Sequence, residues 1–420
     1  MRPTVVRRRC TAVAALLCLA APLLVRPSNA AEPITIGFAE ALTGNLAVVG
    51  KSGLLAEQIW AQDVNAKGGL LGRPVKLIYY DNQSNPANVP GIYTKLLDVD
   101  HVDLIVSGYS TNMVAPAMPV AMAHNKVFVS LFCLAVNSEF HYPRYFSMLP
   151  TGPDPKHAFS HGYFDLAMAQ NPRPQTIAIV AADAEFARNA SDGARDNAKE
   201  AGLKIVYDGT YPPTTTDYTP IVRAVRATNP DIIYVASYPP DTAGILRAAN
   251  EIGLKTQLFG GNMVGVQTTA LKTQLGPLLN GIVVNENWLP APTMQFPGVL
   301  EFLKRYQAKA QAEGVDPLGY FLPPWAYARM QIMAEAIEGT QSLDDAKLAD
   351  YFKGHTFKTI IGDVAFGKDG EWVAPRIVWT QFQNIKGNDV EQFKDPAAEV
   401  VVLPAEFKSG SLIWPYSAAK

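Results

Sequence analysis

Residues 34–81, ITIGFAEALTGNLAVVGKSGLLAEQIWAQDVNAKGGLLGRPVKLIYYD, hold one complete structural unit. Ile34, Ile36 and Phe38 open it with a short β-rich run. Leu55, Ile59, Trp60 and Val64 then put an apolar stripe on a helix over about 50–66, and Gly68 and Gly69 end that helix. A second β-rich run follows at 75–80. Strand, helix and strand joined so briefly make a βαβ unit, whose strands run parallel because the helix carries the chain back. Both runs are nearly continuous in apolar residues rather than alternating, as expected of a parallel sheet covered on both faces.

The rhythm continues with strand candidates at 102–106 and 127–130 and helices at 87–98 and 114–124. It breaks at Leu149, Pro150, Thr151, Gly152, Pro153, Asp154 and Pro155. It restarts with strands at 176–180, 203–207, 231–235 and 257–260 and helices at 186–201, 218–228 and 241–252. Two such series predict an α/β protein of two Rossmann-like lobes, with ligands taken beyond the carboxyl ends of the strands. The stretch 281–366 is more helical, at 297–313, 323–339 and 343–352, and is expected to pack back on the first lobe. Pro323 and Pro324 stand where a helix start tolerates proline. Lys368, Asp369 and Gly370 mark a hairpin turn before a strand at 377–382. The predicted organisation is a leader at 1–30, a first lobe of 31–150 plus 285–366, a second of 151–284 plus 367–387, and a wrapping tail without clear period at 388–420. Hinges are expected at 149–152, 284–287 and 364–368.

The leader has the three-part layout of a secretory signal: Arg2 and Arg7 to Arg9, an apolar run over 11–25, then Pro27, Ser28, Asn29, Ala30 and Ala31. The mature chain is expected to begin at Ala31. The apolar run contains Pro22 and falls short of the ~20 residues that span a bilayer. Leu17 stands before Cys18 where lipid attachment needs a small residue, and the tandem arginines are a weak pointer to twin-arginine export. Cys133 is left alone in the mature chain, which excludes an internal disulfide or a cysteine metal pair. A formal charge of −2 with 18% charged residues supplies no field to hold nucleic acid, and 48% hydrophobic residues exclude a disordered chain.

Ile36 and Gly37, Leu42 to Gly44, the run Asp63, Val64, Asn65, Ala66, Lys67, Gly68, Gly69, then Tyr80 and Asp81, together with Arg247 through Gly260, resemble the type I periplasmic binding proteins of the leucine/isoleucine/valine-binding class. The resemblance implies two lobes joined by three crossovers, closing on a ligand. It implies a periplasmic, monomeric substrate-binding protein, without cofactor or metal, that delivers a small carboxylate, an amino acid or an aromatic acid, to the permease and ATPase subunits of an inner-membrane ABC transporter. By the same resemblance Ser110, Thr111 and Asn112, and the loop 131–136 with Cys133 and Ala135, hold the ligand carboxylate. A helix start offers unpaired N–H groups for such an anion. The second lobe offers Asp183, Glu185 and Phe186, then Tyr238, then Asn262 in a loop at 260–265.

Relatives that bind α-amino acids carry a tyrosine at the place of Phe186 and an acid at the place of Asn262. An amide cannot balance a buried ammonium, whose unpaired burial costs several kcal/mol. The ligand is therefore expected to lack an α-ammonium, unless Glu286 or Asp183 supplies the charge, and Tyr109, Phe186, Tyr238, Tyr320 and Trp325 are expected to wall an aromatic or other small carboxylate.

Other chemistry is set aside. There is no Gly-x-Gly-x-x-Gly turn, and the glycine ahead of Gly50, Lys51 and Ser52 is one position too far upstream for a phosphate loop. His157 and His161 share helical spacing without a glutamate between them, no Gly-x-Ser-x-Gly elbow occurs, and Cys133 has no histidine partner in sequence. Asp183 and Glu185 read as helix N-terminal carboxylates rather than an acid/base pair. A ligand-sensing receptor of the same fold and a secreted α/β enzyme remain as alternatives; no enzymatic activity is expected.

Overall fold

The computed structural model describes residues 31–420, with residues 1 and 3–5; the expected secretory leader lies outside the described residues. The first sheet contains β1 (Ile34–Glu40), β2 (Val75–Asp81), β3 (Leu104–Tyr109), β4 (Phe128–Leu131) and β5 (Tyr145–Ser147), all parallel, in the order β2-β1-β3-β4-β5. The second contains β6 (Thr176–Ala182), β7 (Lys204–Tyr211), β8 (Ile232–Ser237), β9 (Leu258–Met263) and β10 (Ile282–Glu286), also parallel to one another. A separate hairpin, β11 (Thr356–Thr359) and β12 (Gly362–Ala365), precedes β13 (Val378–Phe382) and β14 (Glu399–Leu403). These last two join the second sheet antiparallel, giving the order β14-β13-β10-β9-β8-β6-β7.

The stripe on the first helix is buried as its spacing demands: Leu55, Ile59 and Trp60 face the sheet from Ala47–Ala66. At Gly69, φ is +81° and a Cβ would lie 1.8 Å from the Arg73 carbonyl oxygen, so only glycine can reverse the chain there. Helices Val299–Glu313 and Pro323–Thr340 pack on that first helix. Arg305 holds Asp63 through two bonds of 2.6 and 2.5 Å. Deeper down, the fully buried Arg329 guanidinium pairs with Glu57 and donates to the Ser107 carbonyl in β3 at 2.5 Å. The sequence distant from the first sheet is thus fastened beneath it by charge that cannot be hydrated elsewhere without cost.

The chain crosses between the sheets at 148–154, 287–298 and 366–377. The first and third crossings run bonded together: Ser147 N donates to Gly370 O at 2.8 Å, Trp372 Nε1 to Ser147 O at 3.0 Å, and Arg376 N to Pro150 O at 2.8 Å.

Three local expectations need correction. Residues 388–420 are more than a tail, since β14 forms an edge of the second sheet. Helix Pro155–Met168, capped by the Asp154 side chain, follows directly on the Pro-rich breaker. Asn262 lies inside β9, opposite Ala236, and not in a loop. Gly260 and Gly261 look like loop residues, but a Cβ on Gly260 would sit 1.7 Å from the Val283 carbonyl oxygen, so these glycines allow close strand approach.

Candidate functional site

In the first sheet the strand order reverses between β1 and β3, and in the second between β6 and β8. The crevices at such reversals, beyond the carboxyl ends of the strands, are where ligands fit. Residues from both reversals line one cavity.

The first lobe supplies Tyr109 at the end of β3, Ser110 and Thr111 after it, Leu46 from the loop after β1, Phe132 and Leu134 after β4, and Phe321 from the segment before the 323–340 helix. Ser110 has φ +88°, a costly conformation for a side chain with a Cβ, and Phe132 and Ala135 lie at +51° and +59°. Strain of this kind, about 1–3 kcal/mol per residue, persists where the surroundings enforce it. Here the enforcement is visible. The Thr111 hydroxyl oxygen accepts from Leu134 N at 3.0 Å, tying the two loops together and leaving its hydrogen for another acceptor. Met113 N and Val114 N both donate to the Ser110 carbonyl at 3.0 Å, which leaves the N–H groups of Thr111 and Asn112 as the unpaired ones at this turn. Behind them the Glu40 carboxyl accepts from Ala41 N and Tyr109 N; burial, then the neighbouring Glu57, push its pKa up to about 8.

The second lobe supplies Phe186 from the start of Glu185–Glu200, Tyr238 after β8, Phe159, Val264, Gln267, Asn285 and Asn287. Tyr238 is fixed by Asp241, whose carboxylate accepts from Tyr238 N at 3.2 Å and from the Tyr211 hydroxyl at 3.0 Å. Burial raises both the Tyr109 and Tyr238 phenols well above their usual range, so both stay neutral donors. The rings form one chain per lobe. Tyr109 meets Phe321 edge-on at 6.0 Å and Phe321 meets Phe132 at 5.3 Å; Phe159, Phe186 and Tyr238 follow one another at 5.9 and 5.8 Å.

The lobes also touch directly. Asn112 Nδ2 donates to the Tyr238 hydroxyl at 2.9 Å, Phe186 N donates to Asn112 Oδ1 at 3.2 Å, and Asn189 Nδ2 donates to Leu134 O at 3.1 Å. On another side of the cleft, Asp316 accepts from the Thr269 amide and hydroxyl, both at 2.7 Å.

Several expected contacts lie elsewhere. Cys133 is fully buried, and burial raises its thiol well above the usual range. Ala135 shapes its loop without reaching the cavity, and Asn112 bridges the lobes and lines a separate depression instead of the cavity. Asp183 is exposed and paired with Arg188 at 2.9 Å, away from the cavity. Asn262 sits beneath the wall, bonded to Tyr234, Phe159 and Asn285. Trp325 backs Phe132 at 5.3 Å without lining the cavity, and Tyr320 faces Trp288 and a different depression. Glu286 does not line the cavity: burial, then Glu399, raise its carboxyl well above the usual range, its Oε2 is buried without a partner, and Glu399 is itself paired with Lys272 at 2.6 Å. Phe132 belongs to the loop 131–136 expected at the ligand, whereas Phe159, Phe321, Gln267, Asn285 and Asn287 carry no spacing signal in the sequence and reach the cavity from separate stretches of chain.

A parallel sheet, a second sheet of five parallel and two antiparallel strands, three crossings and a cavity at both strand reversals define a two-lobed solute-binding protein. Residues 33–381 match the periplasmic binding protein family model, and the chain belongs to that family. The Leu/Ile/Val-binding protein of Escherichia coli (strain K12) is 25% identical over 343 residues, 81% of this chain and 88% of the relative. An amino acid binding protein of Pseudomonas aeruginosa is 24% identical over 361 residues, 82% and 88%. The fold matches the branched-chain amino acid transporter substrate binding protein LivJ from Streptococcus pneumoniae, in complex with isoleucine, with TM-score 0.73 at 19% identity, covering 89% of this chain and 100% of that one. It matches equally a solute binding protein of an ABC transporter from Rhodopseudomonas palustris BisB5, in complex with 3,4-dihydroxybenzoic acid, with TM-score 0.71 at 18% identity, covering 84% and 94%. The resemblance read from Asp63 to Gly69 therefore holds, and members of this family are solute-binding proteins rather than enzymes. Among the described residues no helix is long and apolar enough to cross a membrane, and no group of acids, histidines and cysteines could hold a metal.

Proposed function

We propose that this chain is an exported, periplasmic solute-binding component of an ABC importer, capturing a small organic carboxylate between its lobes and handing it unchanged to the membrane subunits. The observation that carries this reading is the paired wall of the cavity: hydroxyls and first-turn amides of Ser110 and Thr111 on one lobe, Phe186 and Tyr238 on the other. The carboxylate docks on the first lobe, where backbone N–H groups and the Ser110 and Thr111 hydroxyls offer donors without a full counter-charge. The rings of the two lobes cover its body. Closure then adds the Asn112, Asn189 and Asp316 bonds, and a ligand favours the closed form only by the contacts it makes better there. Membrane subunits that recognise the closed form would receive loaded protein selectively.

Calorimetric titration of the mature chain with amino acids and aromatic acids, with recovery of each ligand afterwards, tests the reading. Binding, a raised melting temperature in ligand excess and recovery of unaltered ligand are expected. Turnover of the ligand, or silence across small carboxylates of every kind, would sink it.

A further inference from the structure

None of the residues lining the cavity is an acid or a base other than its two tyrosines. The nearest acids do not compensate for this. Glu40 lies behind Tyr109 bonded to backbone, Glu286 turns toward Glu399 and Lys272, and Asp183 pairs with Arg188 outside. An ammonium enclosed here would have only dipoles for company, whereas a neutral apolar body meets Phe132, Phe159, Phe186 and Phe321.

The polar end of the second lobe is ordered by a relay of amides. The Tyr234 hydroxyl donates to Asn262 Oδ1, which turns Asn262 Nδ2 toward Phe159 O at 3.2 Å and Asn285 Oδ1 at 2.8 Å. With its oxygen engaged, Asn285 is left with Nδ2 as a donor at the cavity wall. Asn287, only 2% exposed, has its Oδ1 without any partner among the described residues. A buried acceptor left unmatched destabilises the closed form unless something in the cavity donates to it. Gln267, on the same wall, is already satisfied: its oxygen accepts from Gly265 N at 2.8 Å and its nitrogen donates to Asn285 O at 3.2 Å.

We infer that the ligand is a monocarboxylate without an ammonium group, built on a flat apolar body, whose distal end carries a neutral hydroxyl that accepts from Asn285 Nδ2 and donates to Asn287 Oδ1. This rests on the carboxylate-binding reading above and goes further by naming Asn285 and Asn287 as the residues that set specificity, with Asn262 as the residue that positions Asn285. A hydroxyl suits the pair because it is both donor and acceptor, while a second carboxylate would face the Asn287 oxygen with a like partial charge.

The test is calorimetry on the mature chain and its Asn287→Ala variant with three probes: 4-hydroxybenzoate, benzoate and leucine. For the wild type, 4-hydroxybenzoate should bind about 5- to 150-fold more tightly than benzoate, the value of two enclosed hydrogen bonds, and leucine should bind weakest. In Asn287→Ala the advantage over benzoate should shrink to the share of the remaining Asn285 bond while benzoate binds at least as tightly as to the wild type, which also proves the variant folded. Leucine binding more tightly than both acids, or equal loss of both acids in the variant, overturns the inference and leaves the carboxylate reading standing. Silence toward all three probes overturns both.

Discussion

Removing the Asn112 side chain should loosen the grip on ligand without loosening either lobe. Asn112 belongs to the first lobe, yet its amide bonds with the Tyr238 hydroxyl at 2.9 Å and with the Phe186 amide at 3.2 Å, both on the second. Neither bond can exist once the lobes separate, so both count wholly toward closure. Two bonds at about 0.5–1.5 kcal/mol net amount to roughly 1–3 kcal/mol, or about 5- to 150-fold in the closed-to-open ratio. Where the open form dominates the unliganded protein, an Asn112→Ala variant should show this whole factor in Kd, mostly as faster dissociation. The Asn189 and Asp316 bonds remain, so closure is weakened and not abolished. Calorimetry gives Kd, small-angle scattering with and without ligand gives the compaction, and urea unfolding gives the stability of the lobes. An affinity within twofold of wild type, with scattering unchanged, would refute the reasoning that these bonds act as a latch.

Glu40 and Glu371 are buried carboxyls whose pKa burial raises from 4.5 to about 8, so the native state keeps a proton that the unfolded chain releases across that window. Their contribution is complete below about 4.5 and lost as pH rises through about 8, worth about 5 kcal/mol each at about 1.4 kcal/mol per unit. The melting temperatures of Glu40→Gln and Glu371→Gln relative to wild type should therefore climb from pH 5 to pH 9, and a flat difference counts against this. Arg329→Met strands the buried Glu57 and should cost about 3–5 kcal/mol in urea unfolding, with partial recovery in the double variant with Glu57→Gln; equal stability of the two variants would show that the pair does not matter. Cys133, buried and with its thiol raised, should resist a thiol reagent in native buffer and react fully in denaturant; fast native labelling would mean that its loop opens.

The fold was legible where hydrophobic period and punctuation agree, as in the apolar stripe of Leu55, Ile59 and Trp60 closed by Gly69. It was illegible where one residue type has two physical uses. Gly260 and Gly261 punctuate like a loop but serve close strand packing, and so Asn262 was assigned to a loop and to the ligand. Asp154 and Pro155 carry a helix cap and a first-turn proline, yet inside a proline cluster they read as a break alone. The cavity divides in the same way. Tyr109, Ser110, Thr111, Phe186 and Tyr238 stand at or just past strand ends, where the family resemblance puts ligand contacts, and all five line it. Trp325 and Tyr320 are expected to wall the ligand as aromatic faces for stacking, but Phe321 between them lines the cavity while Trp325 supports Phe132 from behind.

Asn262 shows why a residue's type can be informative at a position while its role is misjudged. An amide in place of an acid was read as a missing counter-charge at the ligand. The side chain instead spends its hydrogen bonds inside the second lobe, on Tyr234, Phe159 and Asn285, and acts on the cavity one bond removed by fixing which end of the Asn285 amide faces inward. An aspartate there would offer only acceptors: it could not donate to Asn285 Oδ1, and the Asn285 amide would turn to present its oxygen to the ligand. Asn262→Asp should therefore reverse the polarity of the distal end, weakening a hydroxylated acid by more than its plain analogue. An equal change for the two acids would mean that the relay from Tyr234 to Asn285 does not reach the ligand.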